Sequence, residues 1–78
     1  NDTGVEVDSI IEMADGEYGA IEIKLGANQE EEAAESLKRF YNLAEVKPKF
    51  MCIICGLYGA VLKRKDGIYV LPITALKP

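Results

Sequence analysis

Asp8, Glu22 and Lys24 are the residues whose types and spacing could do chemistry in this chain. Two carboxylates held side by side repel each other, and a hard divalent cation such as Mg²⁺ resolves the conflict by taking their oxygens. Lys24 stands two residues beyond Glu22, so on a strand it shares that face and sets a positive charge beside the pair. The sequence contains no histidine. Any general base must therefore be a carboxylate, a lysine or a metal-bound hydroxide. A second reading stays open, in which mixed charges solvate the outer face of a hairpin and Lys24 neutralises both acids in water.

The elements that must position this trio follow from alternation. Val7, Ile11 and Met13 alternate with Glu6, Asp8 and Glu12, with Ile10 breaking the polar series. Ile21, Ile23 and Leu25 alternate with Glu22 and Lys24. Period two predicts strands over 5–13 and 18–25. Ala14-Asp15-Gly16 suits a three-residue hairpin loop closed by a left-handed glycine. That loop pairs Met13 with Glu17, and counting back sets Asp8 opposite Glu22, with Cβ atoms roughly 4.5–5.5 Å apart.

Beyond the hairpin, Asn28 reads as an N-cap with Glu31 completing a capping box. Glu30, Glu31 and Glu32 suit the first turn of a helix, where the dipole favours negative charge. The helix should run to about Glu45, with Ala33, Ala34, Leu37, Phe40, Tyr41 and Ala44 as its buried stripe. Lys38, Arg39 and Asn42 face away from that stripe, and Pro48 closes the connection. Residues 50–56 are apolar on both faces and predict a central strand, parallel to 20–25 through a right-handed crossover. A second hairpin, 60–64 with 68–72, turns at Lys65-Asp66-Gly67, and residues 72–76 predict a last helical turn or tail packed on the sheet. The fold class expected is α/β, bordering on α+β: a mixed central sheet of about five strands with one main helix. The sheet face away from that helix is left uncovered by these elements. An upstream segment or a second copy of the chain, giving a homodimer, would cover it.

At 78 residues this is the length of one small domain, near the lower limit for a self-sufficient core. The chain opens on Asn1-Asp2-Thr3-Gly4 without methionine, which points to a piece of a longer protein. Net charge is −4, an awkward balance for a non-specific nucleic-acid binder, because that affinity rests on phosphate neutralisation. Lys47-Pro-Lys49 and Lys63-Arg64-Lys65 are local basic clusters, read as solvated loop charges or as phosphate contacts. Cys52 and Cys55 have C-x-x-C spacing, but on a strand they point to opposite faces, and no further cysteine or histidine completes a zinc site. Both are expected in the core. No apolar run reaches the ~20 residues of a membrane span and no signal peptide is evident, so a cytoplasmic, reduced setting is expected.

Asp8 followed by Glu22-Ile23-Lys24 resembles the second and third motifs of the PD-(D/E)xK nuclease superfamily, with its restriction-endonuclease-like core. A longer ordered series spans essentially the whole chain. It runs from Glu6-Val-Asp8 through Gly19-Ala-Ile-Glu-Ile-Lys-Leu-Gly26, Asn28-Gln29 and Glu32-Ala-Ala34 to the closing stretch 66–78. This series is similar to the C-terminal, functionally uncharacterised domain of a family of prokaryotic AAA-type ATPases. The resemblance implies an ATPase module upstream, which alone would bind ATP, and an N-terminally truncated nuclease-like core here. It also implies a metal-dependent phosphodiesterase in which Asp8, Glu22 and the carbonyl of Ile23 hold Mg²⁺. The ion would polarise the scissile phosphate and activate a water that Lys24 orients or deprotonates. Glu6 and Gln29 are secondary candidates. In that superfamily a helix before the first motif strand often carries another acid, and this chain does not include it, which argues against activity of the isolated stretch. The alternatives are a non-catalytic module that docks nucleic acid or protein for the ATPase, with Tyr58 and Tyr69 as contacts, and a dimerisation domain.

Overall fold

The computed structural model describes residues 7–26, 28–56 and 60–76. Five strands form one mixed sheet in the order β1-β2-β3-β5-β4. The strands are β1 (Ser9–Glu12), β2 (Tyr18–Lys24), β3 (Phe50–Cys55), β4 (Leu62–Lys63) and β5 (Tyr69–Pro72), with helix α1 (Glu30–Leu43) between β2 and β3. The two hairpins, β1–β2 and β4–β5, are antiparallel, and β3 joins them with a parallel partner on each side. A 3₁₀ turn, Ile73–Leu76, follows β5. This is the α/β arrangement expected, though β1 and β4 are shorter than alternation suggested.

The hairpins turn by the same chemistry. Met13 N–H donates to Glu17 O at 2.8 Å and Gly16 N–H to Met13 O at 3.0 Å. Arg64 N–H donates to Ile68 O at 2.8 Å and Gly67 N–H to Arg64 O at 2.9 Å. Gly16 and Gly67 both have φ of 87°, the left-handed region that a side chain resists. An aspartate one residue before each glycine, Asp15 or Asp66, accepts the N–H two residues onward through Oδ1. The turn residues therefore fix the register of both hairpins.

The helix departs from expectation at its start. Asn28 is not the cap: it has φ of 60°, and Gln29 is the residue before the first helical turn, without a side-chain cap bond. Gln29 Oε1 instead accepts Gly26 N–H at 3.1 Å, closing the β2–α1 connection on itself. Glu31, expected to complete a capping box, pairs with Arg64. The helix ends at Leu43, and Lys47 Nζ donates to the carbonyls of Tyr41 and Asn42, where positive charge suits the helix C-terminus. Tyr41 lies outside the buried stripe, 40% exposed with Lys47 over its ring.

Side chains of one parity face α1. Ala20, Ile53, Ile68 and Val70 close a core with Ala33, Ala34 and Leu37 of the helix, where the two alanines allow close approach to the sheet. Opposite parity puts Ile21, Cys52 and Ile54 in a second cluster on the other face, bordered by Phe50 and Leu71. Cys52 and Cys55 thus lie on opposite faces, without a disulfide between them. No helix among the described residues is long and apolar enough to cross a membrane.

Candidate functional site

The first ladder pairs Ser9 with Ile21, Ile10 with Ala20 and Ile11 with Gly19. The next step outward sets Asp8 opposite Glu22, the register that the loop predicts. Beyond Ser9 the ladder gives way to a side chain: Ile23 N–H donates to Asp8 Oδ2 at 2.7 Å. A strand residue directs its N–H and C=O to the same edge, so the Ile23 carbonyl also points toward the end of β1 where Asp8 lies.

Glu22 does not sit on a solvated face. It is 7% exposed, the one buried charged residue among those described, and its Oε1 has no hydrogen-bond partner. Ala20 and Ile10 share its side of the sheet, and that is the side α1 covers. Burial pushes the Glu22 carboxyl above its ordinary range, and the neighbouring Asp8 carboxylate pushes it further. The Ser36 hydroxyl and the Asp8 backbone N–H donate to it and pull the other way, with Lys24 adding a weaker attraction. Lys24 Nζ lies 3.4 Å from Glu32 Oε2.

Glu32 and Ser36 therefore belong to the site, and sequence reasoning had assigned Glu32 to helix punctuation and passed over Ser36. The available signal was their spacing: positions i and i+4 share one helix face, and here that face follows the Glu22–Lys24 column of β2. Glu30 and Glu31 pair instead with Arg64, 12% exposed, which also binds Asp66. Members of the basic clusters also have partners within the molecule. Lys49 pairs with Glu17 at 3.1 Å, and Lys63 lies over the Tyr69 ring. Glu6 and Tyr58 lie outside the described residues.

Among the described residues no three His, Cys, Asp or Glu side chains converge in a way that could hold a metal. The donor set at the acid pair is smaller: the second oxygen of Asp8, Oε1 of Glu22 and the Ile23 carbonyl. That set fits Mg²⁺, which commonly keeps several waters and takes only one or two carboxylates. It does not fit zinc, which wants nitrogen and sulfur donors.

Residues 1–76 match the model of a family described as "Domain of unknown function (DUF4143)". The chain belongs to this family. Searches of curated proteins and of solved structures find no match.

This DUF4143 chain has a second feature beside the acids. A cavity of about 280 Å³ opens where β2, β3 and β5 end and α1 begins. Ile53, Leu62, Val70 and Pro72 line it with apolar surface, and Lys24, Asn28, Gln29 and Glu30 bring polar groups to it. In sheets of this kind ligands commonly bind beyond the carboxyl ends of parallel strands.

Proposed function

We propose that this DUF4143 chain is the C-terminal, nuclease-like domain of an AAA-type ATPase, and that it supports Mg²⁺-dependent phosphodiester hydrolysis on nucleic acid. The observation that carries this reading is Glu22 Oε1: a carboxylate oxygen buried without a partner, beside a second acid. Leaving such a group unpaired is unfavourable by roughly 1–3 kcal/mol or more, and a cation would satisfy it. The strand order and the ordered sequence series of the resemblance support the same reading.

Asp8, Glu22 and the Ile23 carbonyl would hold the ion, whose chemistry when bound is to polarise a phosphate oxygen and to lower the pKa of water. The rest is done by the chain. Ile23 N–H fixes one oxygen of Asp8, leaving the other free to ligate. Ser36, on the helix face over β2, favours the charged form of the Glu22 carboxyl. Glu32 holds the Lys24 ammonium within reach of a phosphate, where its charge would stabilise the developing negative charge. Burial of Glu22 keeps water from screening these interactions.

A second reading has one observation in its favour. Asp8 already terminates the β1–β2 ladder through Ile23 N–H, a structural duty that requires no ion, and an acidic surface suits a docking module better than a nuclease. Lys24→Ala separates the two in the full-length protein. Catalysis predicts that cleavage of nucleic acid falls at least a hundredfold while ATP hydrolysis is retained. A docking module predicts no metal-dependent cleavage in either protein.

A further inference from the structure

The cavity at the strand ends and the acid pair share Lys24, and this juxtaposition bears on substrate class. Glu22 and Lys24 are two residues apart on β2, about 7 Å along the strand. Lys24 thus stands between the carboxylates on one side and an apolar recess on the other. The recess has the volume of a single flat heterocycle with room to spare. Its floor is aliphatic, from Ile53, Val70 and Pro72, and the Asn28 and Gln29 amides lie at its border with donors and acceptors suited to a base edge.

We propose that this cavity seats one unpaired nucleobase, so that the strand presented to Asp8 and Glu22 is single-stranded or frayed. The inference rests on the proposed function, since it places a phosphate of that strand at Lys24. A base locked in a duplex cannot enter the recess without being unstacked and unpaired, a cost that an unpaired strand avoids. Seating by apolar contact also suits an acidic molecule. Desolvation of a π-face against the aliphatic floor, not phosphate neutralisation, carries the affinity. Arg64 pairs with Glu30, Glu31 and Asp66, and Lys38 pairs with Asp66, so two cations offset most of the negative charge of these three carboxylates.

The test uses oligonucleotides carrying one 2-aminopurine, with Mn²⁺ present, on the wild type and on Ala60→Trp and Leu62→Trp, which fill the cavity from exposed positions. The expected result is a change of 2-aminopurine emission on binding a single strand, and at least tenfold weaker binding of a blunt duplex. Both tryptophan variants should lose at least fivefold in single-strand affinity while binding Mn²⁺ as the wild type does. Equal affinity for single strand and duplex, or tryptophan variants that bind as well as wild type, would overturn the base seat and leave the acid-pair reading standing. Loss of Mn²⁺ binding in the wild type itself would instead overturn the reading beneath it.

Discussion

Glu22 is the residue on which the chemistry turns, and its burial has a measurable sign. Its folded-state carboxyl titrates above the ordinary 4.5, chiefly through burial and then through Asp8. Between the ordinary value and the raised one, the native state therefore holds a proton that the unfolded chain has released. Its contribution to stability is full below the ordinary value and is lost as pH rises through the raised one. Glu22→Gln removes the charge and keeps the shape, with one acceptor oxygen replaced by an NH₂ donor. In metal-free buffer it should stabilise the fold by about 1 kcal/mol at pH 8 and by nothing at pH 4, measured by urea unfolding. Added Mg²⁺ should reverse the order, because only the wild type gains from binding in proportion to RT ln(1 + [Mg²⁺]/Kd). A variant less stable than wild type at pH 8 without metal would show that the carboxylate is satisfied by the protein alone.

At the level of elements, Arg64 fastens the β4–β5 turn to the start of α1. Its guanidinium meets Asp66 within the turn and Glu30 and Glu31 across it. Asp66 also takes Lys38 Nζ at 3.0 Å. The bonds from Arg64, then Lys38 and the Ile68 N–H, hold the Asp66 carboxyl well below the ordinary 3.8. That stabilisation is present above the ordinary value and disappears as pH falls further. Arg64→Ala should destabilise by about 2 kcal/mol at pH 7, since it leaves three acids facing one another, and the difference should shrink in acid. Glycines give a contrast of two mechanisms. A Cβ at Gly16 meets nothing within 4 Å, so Gly16→Ala bears only the left-handed backbone penalty of about 1 kcal/mol. A Cβ at Gly56 would lie 2.5 Å from the Leu25 carbonyl oxygen, so Gly56→Ala must push the ends of β2 and β3 apart and should destabilise more, by about 2 kcal/mol or above in the same unfolding assay.

These elements also show what was legible in the sequence. The Asp8–Glu22 register was legible because a three-residue loop with one glycine leaves a single pairing. Strand, helix and hairpin types were legible from periodicity. The helix start was not: Asn28 has the composition of a cap, but the Gln29 side chain binding Gly26 N–H sets where the turn begins. Arg64 reaches partners some thirty positions away, Glu30 and Glu31, and no local pattern announces that. The burial of Glu22 was hidden because alternation assigns two faces without saying which one a helix will cover.

Over the whole molecule, net charge of −4 limits how nucleic acid can be held. Arg64, Lys38, Lys47 and Lys49, four of the nine Lys and Arg residues, have internal partners, which reduces the cations available to phosphates. Single-strand affinity should thus fall only about three- to sevenfold between 50 and 200 mM salt, as for one or two phosphate contacts, and a steeper loss in fluorescence anisotropy would indicate more phosphate contacts than that. The central claim is narrower: the Asp8–Glu22 pair is a divalent-cation site. Its most direct measurement is Mn²⁺ binding by electron paramagnetic resonance on the wild type, Asp8→Asn and Glu22→Gln at pH 7.5. The account predicts one ion bound per wild-type chain below millimolar Mn²⁺, weakened at least tenfold in each variant with the fold retained. No binding at millimolar Mn²⁺, or binding unchanged in both variants, would contradict it.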